Sequence, residues 1–420
     1  MRLGDLFDMK LSKKHFFEIS RPSCEFVAAF CLFFSNILTI FNGITRFFLN
    51  TYKIDTIIVY GILVVLFLSI SKELLHKIKF GQILFVFTVF FVLLFSMLLS
   101  SQPSVNLEVI IQVLSLCVVP FFGCCLVRDF NQFKKYIVLF ATIVPYFLVF
   151  VYFVLGNGSL GKEGTYDQGL TYSYLISAII LCGSLFEKVN IKKLIPFLLC
   201  LFSMLSFGAR GPIVCVAIYF IVRLTVLLLN KQPLKAILIL LVYILGFLII
   251  YINLETIIQF TIQRFDEMGF STRVLSRILD NSLLEDKARK QIYIYCIDYI
   301  KSNPNGVGGP VNDRIYLSKV LYGWNDVLGC YPHNFFLEII MQFGLLFGVI
   351  ILIVFILFVI KAYKNNKTSE NVLLMFLGFG FIPLLFSGSY VSFAPFWMLI
   401  ALCSVTIKKH KENNIIRNYL

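Results

Sequence analysis

Apolar runs close to the length of a bilayer recur along the whole chain, and nothing else in it constrains the fold as strongly. They fall at Cys24–Phe41, Ile54–Ser71, Phe80–Leu99, Leu107–Leu126, Tyr136–Leu155 and Leu170–Phe186, then at Leu194–Phe207, Pro212–Leu229, Leu234–Leu254, Asn334–Ile360, Val372–Ser387 and Tyr390–Ile407. Many approach the roughly 20 residues that a helix needs to cross the hydrocarbon layer. With 59% hydrophobic and only 14% charged residues, the chain lacks the polar exterior that a soluble protein requires. The expected fold is an all-α polytopic membrane protein with about 12 transmembrane helices.

The basic residues are distributed as a topology signal. The first 21 residues carry Arg2, Lys10, Lys13, Lys14 and Arg21, and no small-residue cleavage site follows the first span. An uncleaved first helix is therefore expected. The formal charge of +14 raises the question of a nucleic-acid partner. However, the charge alternates between connections. Even-numbered ones hold Lys72, Lys77 and Lys79; Arg128, Lys134 and Lys135; Lys188, Lys192 and Lys193; Lys231 and Lys235; and Lys361, Lys364 and Lys367. The short odd-numbered ones hold only Arg46, Lys53, Lys162 and Arg210. This is the positive-inside pattern; it places both termini in the cytoplasm and implies no nucleic-acid partner.

One connection is not short. Glu255 to His333 is a hydrophilic segment between the ninth and tenth spans whose nine basic and nine acidic side chains cancel. By the alternation it faces outward, and loops of this length without a role are uncommon. The expected organisation is therefore residues 1–254 as an N-terminal segment with spans one to nine, 255–333 as the outward loop, and 334–420 as spans ten to twelve with a cytoplasmic tail. Most cysteines lie in apolar spans as small buried hydrophobes. Cys296 and Cys330 lie in the outward loop, where either a disulfide or two free thiols is possible. No Cys/His spacing resembles a metal site.

Three outward stretches carry candidate chemistry. His15, His76 and His410 fall on the cytoplasmic side, so His333 in Tyr331-Pro332-His333-Asn334 is the one outward imidazole. It suits a proton acceptor for a hydroxyl nucleophile; it equally suits a plain polar helix start. In Leu205–Cys215, Arg210 stands between Gly208 and Gly211 ahead of Pro212. Proline belongs in a first helical turn, so free amides and a guanidinium there would favour an anion, phosphate especially. The alternative is an ordinary turn with a snorkelling arginine. In Ala288–Gly309, Ile292, Tyr295, Cys296, Tyr299 and Ile300 form an apolar stripe, as in an amphipathic helix lying on the membrane or on the bundle. Arg289 is near its start, as phosphate ligand or as ion-pair partner of Glu285 or Asp286. The following Gly306-Val307-Gly308-Gly309 turn could present amides to a phosphate or simply reverse the chain.

In order and side, these stretches resemble the O-antigen polymerase/ligase superfamily of bacterial membrane glycosyltransferases. The resemblance rests on Arg210-Gly211, on Arg289 followed by Pro304-Asn305-Gly306-Val307-Gly308, and on His333-Asn334-Phe335-Phe336-Leu337-Glu338 with Gly344 and Gly348 beyond. It covers about Leu194 to Ile360. Tyr293 departs from it, since tryptophan is common there in the family. The resemblance implies a fold like that of the C-type membrane glycosyltransferases, in the bacterial inner membrane. The implied donors are glycans carried on undecaprenyl pyrophosphate, and no cofactor is implied.

In the implied reaction a hydroxyl attacks the anomeric carbon and the lipid pyrophosphate leaves. Arg210 and Arg289 would neutralise the pyrophosphate, for which a planar guanidinium fork is suited. His333 would accept or orient the hydroxyl proton. Arg273, Arg277, Tyr331 and Asn334 are the expected substrate-binding side chains, Asn334 also steadying the loop–helix junction. The first outward loop, Asn42–Lys53, has no acid, so no metal is expected. A polymerase acting on O-antigen or capsule repeat units fits the Tyr-Pro-His-Asn wording with Leu337-Glu338 better than a ligase acting on lipid A–core. A chain-length regulator and a flippase of the same pathway are the protein partners implied. A transporter is the alternative from another class, but neither an internal repeat nor midplane charges support one.

Overall fold

The structure, a computed structural model, describes residues 22–49, 54–155, 168–229, 237, 241, 254–267, 271–280, 287–323, 327, 329–365 and 367–419. Among them all regular structure is helical. Seven helices are long and apolar enough to cross a membrane: Cys24–Thr45, Phe80–Leu98, Pro103–Cys125, Phe130–Tyr152, Gly169–Glu187, Arg210–Leu229 and Phe335–Asn365. Shorter apolar helices lie at Ile57–Ser69, Asn371–Leu385 and Ala394–Ile407, and a further helix at Ile191–Ser206. Helix thus occupies each expected span except the ninth, which lies outside the described residues apart from Ile237, Leu241 and Leu254. The basic N-terminal segment, Lys53, Lys162, Lys231, Lys235 and the Glu285-Asp286 pair also lie outside them.

The long helices turn Phe80, Phe87, Phe91, Leu98, Leu346, Phe347 and Leu357 outward. In water such a perimeter would drive aggregation; in lipid it is the required surface. Between helices, small residues permit close approach. A Cβ on Gly183 would lie 2.5 Å from Tyr219 Oη, and one on Gly378 would lie 2.6 Å from Tyr219 Cδ2. Tyr219 is accordingly wedged between two helices and fully buried.

Polar contacts sort the span ends into two groups. On one face Glu25 Oε1 accepts from the amides of Arg128 and Asp129, at 3.0 and 3.1 Å. On the same face Lys134 pairs with Glu187, Asn371 Nδ2 donates to Glu187 at 2.6 Å, and Arg223 donates to Asn371 Oδ1 at 2.7 Å. Arg223, a buried basic residue inside an apolar span, thus finds a partner on a neighbouring helix. On the other face the end of Phe80–Leu98 meets the large loop, with Ser96 Oγ donating to Pro310 O at 2.5 Å and Asn312 Nδ2 donating to Ser96 O at 3.3 Å. Among the described residues, the connections carrying Lys77, Arg128, Lys134 and Asn371 thus sit at the opposite end of the bundle from the contacts of the long loop with Ser96.

The loop is itself helical. We label its helices α1 (Leu254–Glu267), α2 (Arg273–Leu279), α3 (Lys287–Ser302) and α4 (Asn312–Tyr322), and the long helix that follows α5 (Phe335–Asn365). The stripe read on α3 is a packing face: Ile292 and Cys296 join Leu317 and Cys330 of the loop and Met341 of α5 in a small separate core. Tyr299 meets Tyr316 with ring centroids 4.3 Å apart. Lys290, Asp298 and Lys301 stay exposed. Cys296 and Cys330 are both buried in this core and are not joined in a disulfide, and burial pushes the Cys296 thiol far above its ordinary range.

The loop is fastened to the bundle by a break in α5. Gly344 has φ 79° and ψ 169° inside the helix. The Pro304–Gly309 turn enters this break: Leu345 N donates to Pro304 O at 2.8 Å, Val307 N to Met341 O at 2.9 Å and Gly309 N to Gln342 O at 2.9 Å. The turn's amides at Val307 and Gly309 are therefore committed to helix carbonyls, so they do not form a phosphate cradle. A Cβ on Gly344 would stand 2.6 Å from Pro304 O, so glycine is required by space as well as by φ. Beyond the break, 345–365 is long enough to cross the bilayer, about 30 Å at 1.5 Å per residue.

Two expectations follow. In a cysteine-depleted background, Ser302→Cys in the exposed end of α3 should react with an impermeant maleimide in intact cells, whereas Lys364→Cys at the far end of α5 should not; labelling of Lys364→Cys would invert the topology. Gly344→Ala should destabilise the protein by about 1–3 kcal/mol or more through forced backbone strain, read as a lowered midpoint in thermal unfolding of the detergent-solubilised protein.

Candidate functional site

The turn Phe207–Ala209 leads into the helix Arg210–Leu229, and its glycines explain how a site forms there. Gly208 has φ +73°, and a Cβ on it would lie 2.3 Å from Ser271 Oγ. Ser271 N donates to Ser206 O at 3.0 Å, which brings the start of α2 against the bundle. A Cβ on Gly211 would lie 2.7 Å from Tyr172 Oη, so this glycine admits Tyr172 from the helix Gln168–Glu187. Pro212 lies in the first turn of its helix, as expected.

Into the space so made come four guanidiniums. Arg210 opens one bundle helix, Arg273 and Arg277 lie one turn apart on α2, and Arg289 stands near the start of α3. All four line a single cleft together with Tyr172, Gly208, Gly211 and Val274. Residues four apart on a helix share a face, which is why Arg273 and Arg277 enter together. Arg210, Arg277 and Arg289 are half-buried and Arg273 is exposed. Four positive side chains beside the N-terminus of a long helix form a strongly anion-attracting surface.

His333 approaches from the other side. It has φ 53°, a left-handed conformation that costs a non-glycine residue about 1–3 kcal/mol and persists only where its surroundings enforce it. Those surroundings are visible. Tyr293 Oη donates to His333 O at 3.4 Å, so the residue at which this chain departs from the family pattern holds the histidine backbone. Asn334 caps α5, its Oδ1 accepting from the amides of Phe336 and Leu337 at 3.0 and 3.2 Å, while its Nδ2 donates to Leu385 O at 3.4 Å. The imidazole lies 4.1 Å from the ring of Tyr331, whose Oη accepts from Gly388 N at 3.1 Å.

The two halves meet at Tyr172. It lines the arginine cleft and has Arg289, Ser387 and Tyr331 as electrostatic neighbours. Tyr172 thus links the arginine cleft to Tyr331, which stands beside His333. Among the described residues no group of three or more His, Cys, Asp or Glu could hold a metal ion.

Beneath Tyr331 lies a cluster that sequence reasoning passed over: Asp313, Arg314, Glu338, Gln342, Ser389 and Tyr390. Burial raises the Asp313 carboxyl above its ordinary range, against the lowering effects of Arg314 and of the Gln342 hydrogen bond. Asp313 and Arg314 cancel in a neutral loop, and Glu338 reads as one letter of a motif. The available signal was two polar residues, Glu338 and Gln342, four apart near the start of an apolar helix.

Residues 195–352 match the family model described as O-antigen ligase. The match contains all four arginines, Tyr331, His333, Asn334 and, from the buried cluster, Asp313, Arg314, Glu338 and Gln342, and it supports the O-antigen polymerase/ligase superfamily. No curated protein and no solved structure matches the chain.

Proposed function

We propose that this multi-pass membrane chain, which matches the O-antigen ligase family model over residues 195–352, is a metal-independent polysaccharide polymerase working at the outer face of the bacterial inner membrane. Its donor is a glycan on undecaprenyl pyrophosphate, and its acceptor is a hydroxyl of the next lipid-linked repeat unit. The observation that carries this reading is the convergence of Arg210, Arg273, Arg277 and Arg289 on one cleft. A diphosphate is already a competent leaving group and chiefly needs its developing charge neutralised. Guanidinium forks do this by bidentate hydrogen bonding to phosphate oxygens.

On this reading Arg210 and Arg289 grip the pyrophosphate at the helix N-terminus, and Arg273 and Arg277 extend the same grip from the loop. His333 takes the proton of the attacking hydroxyl, or orients it, across Tyr331, while Asn334 holds the junction as a cap. Both termini and the lysine-rich connections face the cytoplasm. The outward loop is residues 255–333, between 1–254 and 334–420. A flippase supplying lipid-linked repeats and a chain-length regulator are the partners that such an enzyme requires. The second reading is a ligase that transfers the glycan to lipid A–core; the family match is compatible with either.

Deletion of the gene separates these readings. A polymerase deletion should leave each acceptor with at most one repeat unit. Bare acceptors with long lipid-linked polymer would establish the ligase, and single repeats trapped on the cytoplasmic face would indicate a transporter.

In a purified assay with lipid-linked repeat units extracted from the deletion strain, Arg210→Ala and Arg289→Ala should each lower kcat/KM by about 100-fold or more, and lysine at either position should recover little because a point charge does not reproduce the fork. EDTA should leave the rate unchanged. Full activity of Arg210→Lys would reduce the arginines to general charge attraction, and loss with EDTA reversed by Mg²⁺ would place a metal in the reaction.

A further inference from the structure

The cluster beneath Tyr331 has no part in binding the pyrophosphate, yet it is the most deeply buried set of ionisable groups near the site. Asp313 and Glu338 are 0% exposed and Arg314 is 3% exposed. Gln342 joins the carboxylates: its Nε2 donates to Asp313 Oδ1 at 3.0 Å and to Glu338 Oε1 at 3.5 Å, and its Oε1 accepts from Tyr390 Oη at 2.6 Å. Ser389 donates to Glu338 Oε1. Arg314 acts electrostatically on both carboxylates and lies 5.5 Å from the centroid of the Tyr331 ring.

Burying two acids and one base is an expensive way to pack a helix, and apolar residues of similar volume often give equal or better stability. The arrangement is better understood by what it holds. Gly388 donates its amide to Tyr331, and the next residue, Ser389, donates to Glu338. Arg314, which acts electrostatically on the same carboxylates, covers Tyr331. Tyr331 is therefore fixed through its hydroxyl and its ring face by partners that all lead back to Glu338 and Asp313. Its ring lies 4.1 Å from the imidazole of His333.

We propose that Glu338, Gln342, Asp313 and Arg314 act as positioning residues for His333: the cluster fixes Tyr331, and Tyr331 fixes the imidazole toward the attacking hydroxyl. The three elements that the cluster joins are the loop helix α4, the start of α5 and the 388–390 segment. Release of any one frees Tyr331. The proposal rests on the acceptor-side role given to His333 above, but the orientation of the imidazole can be read without turnover.

The test uses the full-length protein purified in detergent, with diethyl pyrocarbonate as the probe of His333, the modified peptide quantified by mass spectrometry. Glu338→Ala and Gln342→Leu should change the rate of His333 carbethoxylation by about threefold or more. With lipid-linked repeat units from the deletion strain, they should lower kcat by about 10- to 100-fold, the range expected of a misplaced group, with KM for the donor within about twofold. Glu338→Gln, which keeps the shape and a carbonyl acceptor for Ser389, should restore both readouts to within about threefold of the unaltered protein.

Carbethoxylation at the unaltered rate in Glu338→Ala and Gln342→Leu would overturn the proposal. So would parallel losses in kcat and donor affinity without rescue by Glu338→Gln, since those report general damage. His333→Ala in the same assay separates the two levels. If it turns over normally, the acceptor-side role falls, while the carbethoxylation comparison still decides whether the cluster orients the imidazole.

Discussion

Three backbone hydrogen bonds hold this architecture together, those that insert the Pro304–Gly309 turn into the break of α5 at Gly344. A helix broken in an apolar setting leaves amides and carbonyls that must find partners, and the turn supplies them. In return, the turn is anchored to the longest helix of the bundle. Everything outward of it takes its position from this joint: the loop core around Cys296 and Leu317, α4 with Asp313 and Arg314, and the short helical segment that His333 and Asn334 open. Only glycine satisfies both demands at 344, a left-handed φ and direct contact with Pro304 O.

Much of this could be read from the residues themselves because a membrane imposes strong rules. Runs such as Phe80–Leu99 and Pro212–Leu229 became helices with ends close to those expected, and the described connections with Lys77, Arg128 and Lys134 meet at one end of the bundle. Arg210, Arg273, Arg277 and Arg289 were legible as candidates, and the structure brings them together. The reason they meet could not be read from sequence, since it depends on Ser271 docking on Ser206 and on two glycines that admit Ser271 and Tyr172.

Other features escaped for definite reasons. The amides of the Gly306–Gly309 turn had two possible uses, and choosing between them required knowing that α5 breaks at Gly344. The partnership of Asp313 with Gln342, 29 residues apart, is invisible to local pattern. So is the role of Tyr293, whose hydroxyl reaches the carbonyl of His333 across 40 residues of chain. Long-range polar contacts have no periodicity to betray them.

The arginine cleft draws its side chains from three separately tethered pieces: a bundle helix, α2 and α3. An anion held by all of them would act as a cross-link between the loop and the membrane bundle. Ligand binding favours whichever conformations present the complete binding surface. In the polymerase proposed above, the donor's own headgroup would rivet the outer domain to its base while it is bound, and departure of the lipid pyrophosphate would remove the rivet, linking each round of the proposed transfer to a loosening of the surface over which the next acceptor must enter.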